Sequence, residues 1–225
     1  MRLSHDTDST NPASAPRWQR RPEARPDEIL DAALEVFGEQ GFARARLEEV
    51  AQRAGVSKGT LYLYFDSKET LFREMVRAKA VAALRQGEAF VEGYTGSNRD
   101  LLVEFLRRMY QLLREQNLSR ISRLVQSELP GFPELAQFYT EEVILPSRRL
   151  VESILQRGLA SGEFRPGMHA FASRAVPMLL SHAAQTQCFL RQFDPEGLSD
   201  EATLAGVIDF CVHGVVAPPG SGAGA

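Results

Sequence analysis

The chain is expected to fold as an all-α protein of about nine helices, a small N-terminal three-helix unit followed by a larger helical body. Three observations predict this. Apolar residues recur at three- and four-residue spacing through most of residues 26–215, with no alternating strand pattern of useful length. Turn formers gather at a few points, notably Gly41, Gly55, residues 93–98, Pro130 with Gly131, and Ser161 with Gly162, and divide the chain into helix-sized pieces. With 225 residues and 44% hydrophobic content, the chain can bury a sizeable core and supports one long or two modest domains.

Residues 1–16 are rich in Ser, Thr, Asp, Asn and Pro and are expected to be disordered. Residues 17–25 are basic, with Arg17, Arg20, Arg21 and Arg25 against Glu23, and carry Trp18. A first helix begins near Pro26 and Asp27, because Pro fits an opening turn and Asp27 and Glu28 suit the positive end of the helix dipole. Ile29, Ala32, Ala33, Val36 and Phe37 form its apolar face, Gly41 stops it, and Phe42 is expected to plug the core of the small unit.

The segment from Leu47 to Phe65 reads as two short helices joined by a tight turn. Leu47, Val50, Ala51 and Ala54 repeat at helical spacing, and Gly55 stands where a helix often ends in a left-handed residue. Ser57 suits the cap of a second helix, with Val56 and Leu61 spaced as a hydrophobic staple around it. Ala51 is small where two helices must cross. An ordinary helical hairpin would share these features. The outer side of the second helix separates the two readings: Lys58, Thr60, Tyr62 and Tyr64 supply phosphate donors, and Gly59 permits close backbone approach. These residues predict a helix-turn-helix with residues 58–64 offered to DNA.

Gly41-Phe42, Val50-Ala51, the run from Ala54 to Phe65, and Ser67-Lys68-Glu69 with Leu71 resemble the N-terminal domain of the TetR/AcrR family of transcriptional regulators, over roughly residues 29–75. The resemblance implies an all-helical, homodimeric one-component repressor whose larger C-terminal domain binds a small molecule. It places Lys58, Gly59, Thr60, Tyr62, Tyr64 and Lys68 at DNA-facing positions, and Ser57 and Arg46 join them as candidates. Arg46 departs from the family pattern, which has Ser or Thr capping the first helix of the motif. Glu49 leaves half of a capping box without its hydroxyl, so that helix end is either uncapped or has exchanged its cap for a phosphate contact by Arg46.

Asp66 or Ser67 caps a long fourth helix bearing Leu71, Phe72, Met75, Val76, Lys79 and Ala83, which links the DNA-reading unit to the rest. Residues 93–98 break the helical array. Beyond them come helices over 100–115, 119–128, 132–161, 168–192 and 199–215, with a kink or break expected near Leu145 because of Pro146, and a second internal proline at Pro177. The domain division is residues 1–25 as a basic arm, 26–72 as the DNA-binding domain, 73–217 as the ligand-binding and dimerisation domain, and 218–225 as a flexible Gly/Ala-rich tail. The arm either enters a minor groove or remains a solvated tail.

In the larger domain Met178, His182, Gln185 and Phe189 share one helical face and suit an apolar pocket with a few orienting groups. His182 and Gln185 equally suit solvent or a dimer partner. Met109, Tyr110, Phe138 and Tyr139 are further pocket candidates, against plain core packing. Arg123 and Glu128 are weaker ones. Ala172, Ala175, Ala183, Ala184, Ala205 and Gly206 are small where the last two helices would pair with their copies in a dimer, as the resemblance implies.

The formal net charge of −3 argues against a general nucleic-acid binder, yet Arg53, Lys58 and Lys68 against Asp66 leave the motif itself locally basic. Cys188 and Cys211 are too few for a disulfide framework and are read as buried free thiols. His5, His169, His182 and His213 make no metal or nucleophile motif with them, so neither an enzyme nor a cofactor or metal is expected. No apolar run reaches a membrane span and the N-terminus lacks a signal-peptide core, so a cytoplasmic protein is expected. The expected function is a homodimeric, ligand-responsive regulator, a repressor that binds a palindromic double-stranded operator and is released by a small, mostly apolar effector. The alternative is a ligand-independent helical interaction module.

Overall fold

The computed structural model describes residues 26–115 and 118–216. The expected basic arm and the C-terminal tail lie outside the described residues. Helix α1 (Pro26–Gln40) has Asp27 and Glu28 in its first turn and ends at Gly41, whose φ of +81° few other residues adopt. Helices α2 (Leu47–Arg53) and α3 (Lys58–Tyr64) form the turn motif. Ser67, rather than Asp66, caps α4 (Lys68–Val76) by accepting the Thr70 N–H at 3.0 Å.

Two long rods organise the rest. In the first, α4 passes through a π-helical turn, Arg77–Val81, into α5 (Ala82–Gly93). In the second, α8 (Pro133–Tyr139) passes through another π turn, Thr140–Ile144, into α9 (Leu145–Ala160). Between them lie α6 (Asn98–Glu115) and α7 (Leu118–Glu128), and the chain closes with α10 (His169–Gln185) and α11 (Asp200–Val215). With each rod counted once, the described residues form nine helices; their only strand-like pairing is an isolated bridge between Phe164 and Val216.

The irregularity expected near Leu145 takes the form of a widened turn. Pro146 has no N–H to donate, and the adjacent Leu145 N–H reaches five residues back to the Thr140 carbonyl. The helix expected over 168–192 is regular only to Gln185, continuing as a π turn, Thr186–Leu190, and a short 3-10 turn, Arg191–Phe193.

Two apolar clusters hold the molecule. The first contains Ile29, Val36 and Phe37 of α1, Val50 and Leu61 of the motif, and Leu71, Phe72 and Met75 of α4, and extends to Ile121 of α7 and Leu135 of α8. Phe42 is its hub, with ring centroids 5.4 Å from Phe37, 5.4 Å from Phe72 and 4.9 Å from Phe132. Packing therefore carries the N-terminal core across residue 72 and into the larger body. The second cluster joins α6, α9, α10 and α11 through Leu102, Leu106, Ile154, Val176, Leu180 and Val212.

Two expectations are corrected here. Cys211 is buried but Cys188 is exposed, because it lies on the outer side of the π turn after α10. Ala172, Ala183 and Ala184 are buried within this chain's own second core and are spent on internal helix packing; Ala205 and Gly206 face outward.

Candidate functional site

The turn between α2 and α3 is built from local chemistry. Gly55 has φ +70°; its N–H meets the Gln52 carbonyl at 3.1 Å, and the Val56 N–H meets the Ala51 carbonyl at 2.9 Å. This pair of hydrogen bonds closes α2 and turns Val56 inward. The Ser57 hydroxyl accepts the Thr60 N–H at 3.0 Å and lies 2.8 Å from the Thr60 hydroxyl. Val56 and Leu61 are both buried, so the staple pins α3 from beneath.

The opposite side of α3 is open. Lys58 and Gly59 are exposed, and Tyr62, Leu63 and Tyr64 are 42%, 84% and 50% exposed. Lys58 Nζ lies 2.5 Å from Glu48 of α2 and 5.6 Å from the centre of the Tyr62 ring. The bond to Glu48 pushes the lysine pKa up and holds the Glu48 carboxyl below its ordinary value. Leu63, to which sequence reasoning gave no place, lies four residues after Gly59 on the same exposed side of the helix.

Arg46 caps nothing with its side chain, since a guanidinium has no acceptor. Only half the box is made: the Arg46 N–H donates to the Glu49 carboxylate at 3.3 Å, while the Glu49 N–H turns to the Arg46 carbonyl at 3.1 Å. Lys68 is engaged within the protein. Its ammonium donates to the carbonyls of Ala43 and Ala45 at 3.0 and 3.3 Å and sits 4.7 Å above the Phe42 ring, tying the α1–α2 connection to α4.

A cavity of about 570 Å³ opens between the two rods and helices α6, α7 and α10. Its walls are mostly apolar, with Ala83, Leu84, Phe105, Val143, Ile144 and Leu180 prominent. Four of the expected pocket residues, Met109, Tyr139, Met178 and His182, line it. Burial pushes the Tyr139 hydroxyl pKa up, and Ser122 beside it is its polar partner.

The other four lie elsewhere. Tyr110, one residue round the helix from Met109, donates to Asp200 at 2.5 Å and faces α11. Phe138 lies beneath the guanidinium groups of Arg73 and Arg77, at 4.7 and 5.2 Å. Gln185 bonds to Ser181 at 3.1 Å, and Phe189 is covered by Arg123 at 4.3 Å. Arg123 also donates to the Gly38 carbonyl, and Glu128 accepts the Ala43 N–H, so both brace the first core instead of the cavity. Sequence reasoning missed Arg148 and Arg174, which line the cavity from α9 and α10. The cavity meets the linking rods at their π turns, with Ala80 from one and Val143 and Ile144 from the other.

An exposed third helix on a three-helix unit, packed through a shared core onto a larger helical body, defines a helix-turn-helix DNA-binding protein. The chain belongs to the TetR family of bacterial transcriptional regulators: residues 29–75 match the family model "Bacterial regulatory proteins, tetR family", and residues 94–202 match "Tetracyclin repressor-like, C-terminal domain". It is 28% identical over 160 residues to the fatty acid metabolism regulator protein of Bacillus subtilis, covering 70% of this chain and 79% of that protein. It is 26% identical over 155 residues to the HTH-type transcriptional repressor KstR2 of Mycolicibacterium smegmatis, covering 68% and 74% respectively. The crystal structure of the regulator FadR from Bacillus subtilis in complex with stearoyl-CoA aligns with a TM-score of 0.70 and 25% identity, over 84% of this chain and 99% of that one. Among the described residues no helix is long and apolar enough to cross a membrane.

Proposed function

We propose that this chain is a homodimeric, ligand-responsive repressor that acts where the bacterial chromosome is, binding a palindromic operator through α3 and leaving it when an apolar effector fills the cavity. The observation that carries this reading is the placement of the cavity against both π turns of the rods that connect to the DNA-reading unit. A π turn holds one more residue than a regular turn, so a helix changes register there more readily than elsewhere. Filling the cavity moves α4, and α4 carries α3 through their shared core. Only an effector that binds the two arrangements with different affinity drives such a change. The named ligand of the similar FadR structure, stearoyl-CoA, supports a largely apolar effector.

At the DNA surface Lys58, Thr60, Tyr62 and Tyr64 contact phosphates, Ser57 and Gly59 let the helix N-terminus approach, and Arg46 adds a phosphate contact from α2. Lys68 contributes charge while it braces the α1–α2 connection. A dimer supplies two such surfaces, reading half-sites about 34–36 Å apart. Its support is the outward face of α10 and α11, where Phe171 and Phe210 are 66% and 72% exposed and Ala205 and Gly206 leave room for a facing helix. A gel shift on the promoter region beside its own gene, read at several salt concentrations and paired with light scattering, tests the proposal. A dimer whose binding falls steeply with salt and is lost in Tyr62→Ala supports it. A monomer, or binding intact in Tyr62→Ala together with Lys58→Ala, overturns it.

A further inference from the structure

The cavity is apolar along most of its wall, yet two guanidinium groups line it. Arg148 extends from α9 and is half-buried; among the described residues no carboxylate lies within the 4.0 Å of an ion pair. Arg174 reaches the same cavity from α10, bonded by one nitrogen to the Ala170 carbonyl at 2.5 Å. The Gln156 amide, donating to Glu152 at 3.0 Å, does most to hold that carboxyl below its ordinary value, Ser173, His169 and Arg174 adding less, and Glu152 does not line the cavity. Arg174, Met178 and His182 follow one another at four-residue spacing on α10, line the cavity and are exposed, which marks the α10 side as its opening. A half-buried cation bordering an apolar space, with no carboxylate against it, is costly unless something anionic comes to it.

We infer that the effector is an anionic amphiphile, its apolar body against Phe105, Val143 and Leu180 and its anionic head held by Arg148 and Arg174 at the opening. This rests on the reading of the cavity as the effector site and adds the charge and orientation of what fills it. Arg148 is the principal anchor, since it is half-buried, whereas Arg174 is exposed and already bonded to the Ala170 carbonyl. A carboxylate and the phosphates of an acyl-CoA share the required chemistry.

The experiment measures binding of palmitate, palmitoyl-CoA and hexadecanol to the full-length dimer by calorimetry, with wild type, Arg148→Gln, Arg174→Gln and the double variant. The expected result is at least one anionic probe binding about tenfold or more tighter than the neutral alcohol, a margin of one charge-assisted contact. Most of that preference is lost in Arg148→Gln and all of it in the double variant, while hexadecanol binding stays unchanged. Palmitate against palmitoyl-CoA then identifies which head is held. Equal binding of alcohol and anion, no binding of either anion, or an undiminished preference in the double variant overturns the assignment. Ala83→Trp, which obstructs the cavity, separates this from failure of the underlying reading. A neutral compound that releases DNA from wild type but not from Ala83→Trp keeps the cavity as effector site and removes the anionic head. Release unaffected by Ala83→Trp overturns the cavity reading itself.

Discussion

Arg77 and Glu142 grip each other across the gap between the two π turns. Arg77 Nε donates to one Glu142 oxygen at 3.0 Å and Nη2 to the other at 2.6 Å, a two-point fork that locks the first rod to the second. Nη1 of the same guanidinium reaches Glu74 on α4 at 2.8 Å, and its flat face covers Phe138. One side chain therefore links the end of α4, the turn beside the cavity, and the second rod.

Glu142→Gln is expected to destabilise the protein by about 0.2–1 kcal/mol, since the pair is partly solvated. The pH dependence has a definite sign. Arg77 holds the Glu142 carboxyl below its ordinary value of 4.5, so its contribution is complete above that value and is lost as pH falls through the depressed folded-state value. Denaturation curves of wild type and Glu142→Gln should thus differ at neutral pH and converge in acid. The variant should also need a different effector concentration to leave DNA; an unchanged release curve would remove the fork from the coupling.

Lys58 is bound to Glu48, so a phosphate arriving at this lysine would displace a carboxylate. Lys58→Ala should lower DNA affinity and reduce the slope of log K against log salt by about 1 per half-site. Glu48→Gln should do the reverse in strength, raising affinity by removing a competitor and a like charge near the phosphates. Fluorescence anisotropy over a salt series checks both; a Glu48→Gln protein that binds more weakly would show the pair to be needed for α3's orientation.

What the sequence made legible was local. Gly55 and Ser57 act on backbone within a few residues and stand where spacing placed them; Ser67 is one of the two caps the spacing allowed, and Ser199, expected to open the last helix, is its cap. Pro146 announced an irregularity but not its form, because whether a helix kinks or widens depends on what packs beside it. The cavity was only half legible for the same reason. Met109 and Tyr110 are adjacent and both suit a pocket, and only the positions of α7 and α11 decide which of them faces it. Arg148 and Arg174 carry no pattern at all in one dimension, since they come to line one cavity only when α9 and α10 pack together.

Gly158 makes the closest approach among the described glycines, since a Cβ there would overlap the ring of Phe164 in the bridge that follows α9. The Phe164 N–H bonds the Gly158 carbonyl at 3.0 Å, so the ring has no backbone freedom to withdraw. Gly158→Ala should cost about 1–3 kcal/mol as an overpacked core substitution. Adding Phe164→Leu should recover part of that loss, and thermal melts of the three variants read the non-additivity directly.

Gly55 and Gly59 are four residues apart and should respond oppositely to the same methyl group. At Gly55 a Cβ would meet nothing within 4 Å, but the φ of +70° is strained for any L side chain, so Gly55→Ala should cost about 1–2 kcal/mol through backbone conformation alone. Gly59 lies inside α3 with no positive φ, its nearest non-neighbour atom the Ser57 hydroxyl at 3.8 Å. Gly59→Ala should therefore hold or raise stability by about 0.5–1 kcal/mol, since alanine loses less freedom than glycine in a helix. The added methyl faces outward, where a DNA backbone would come closest. The expected pattern is a Gly55→Ala protein that melts early but binds DNA normally when folded, and a Gly59→Ala protein that melts late and binds DNA poorly. Chemical denaturation with anisotropy on the same samples distinguishes them, and normal DNA affinity in Gly59→Ala would place the helix N-terminus away from the phosphates.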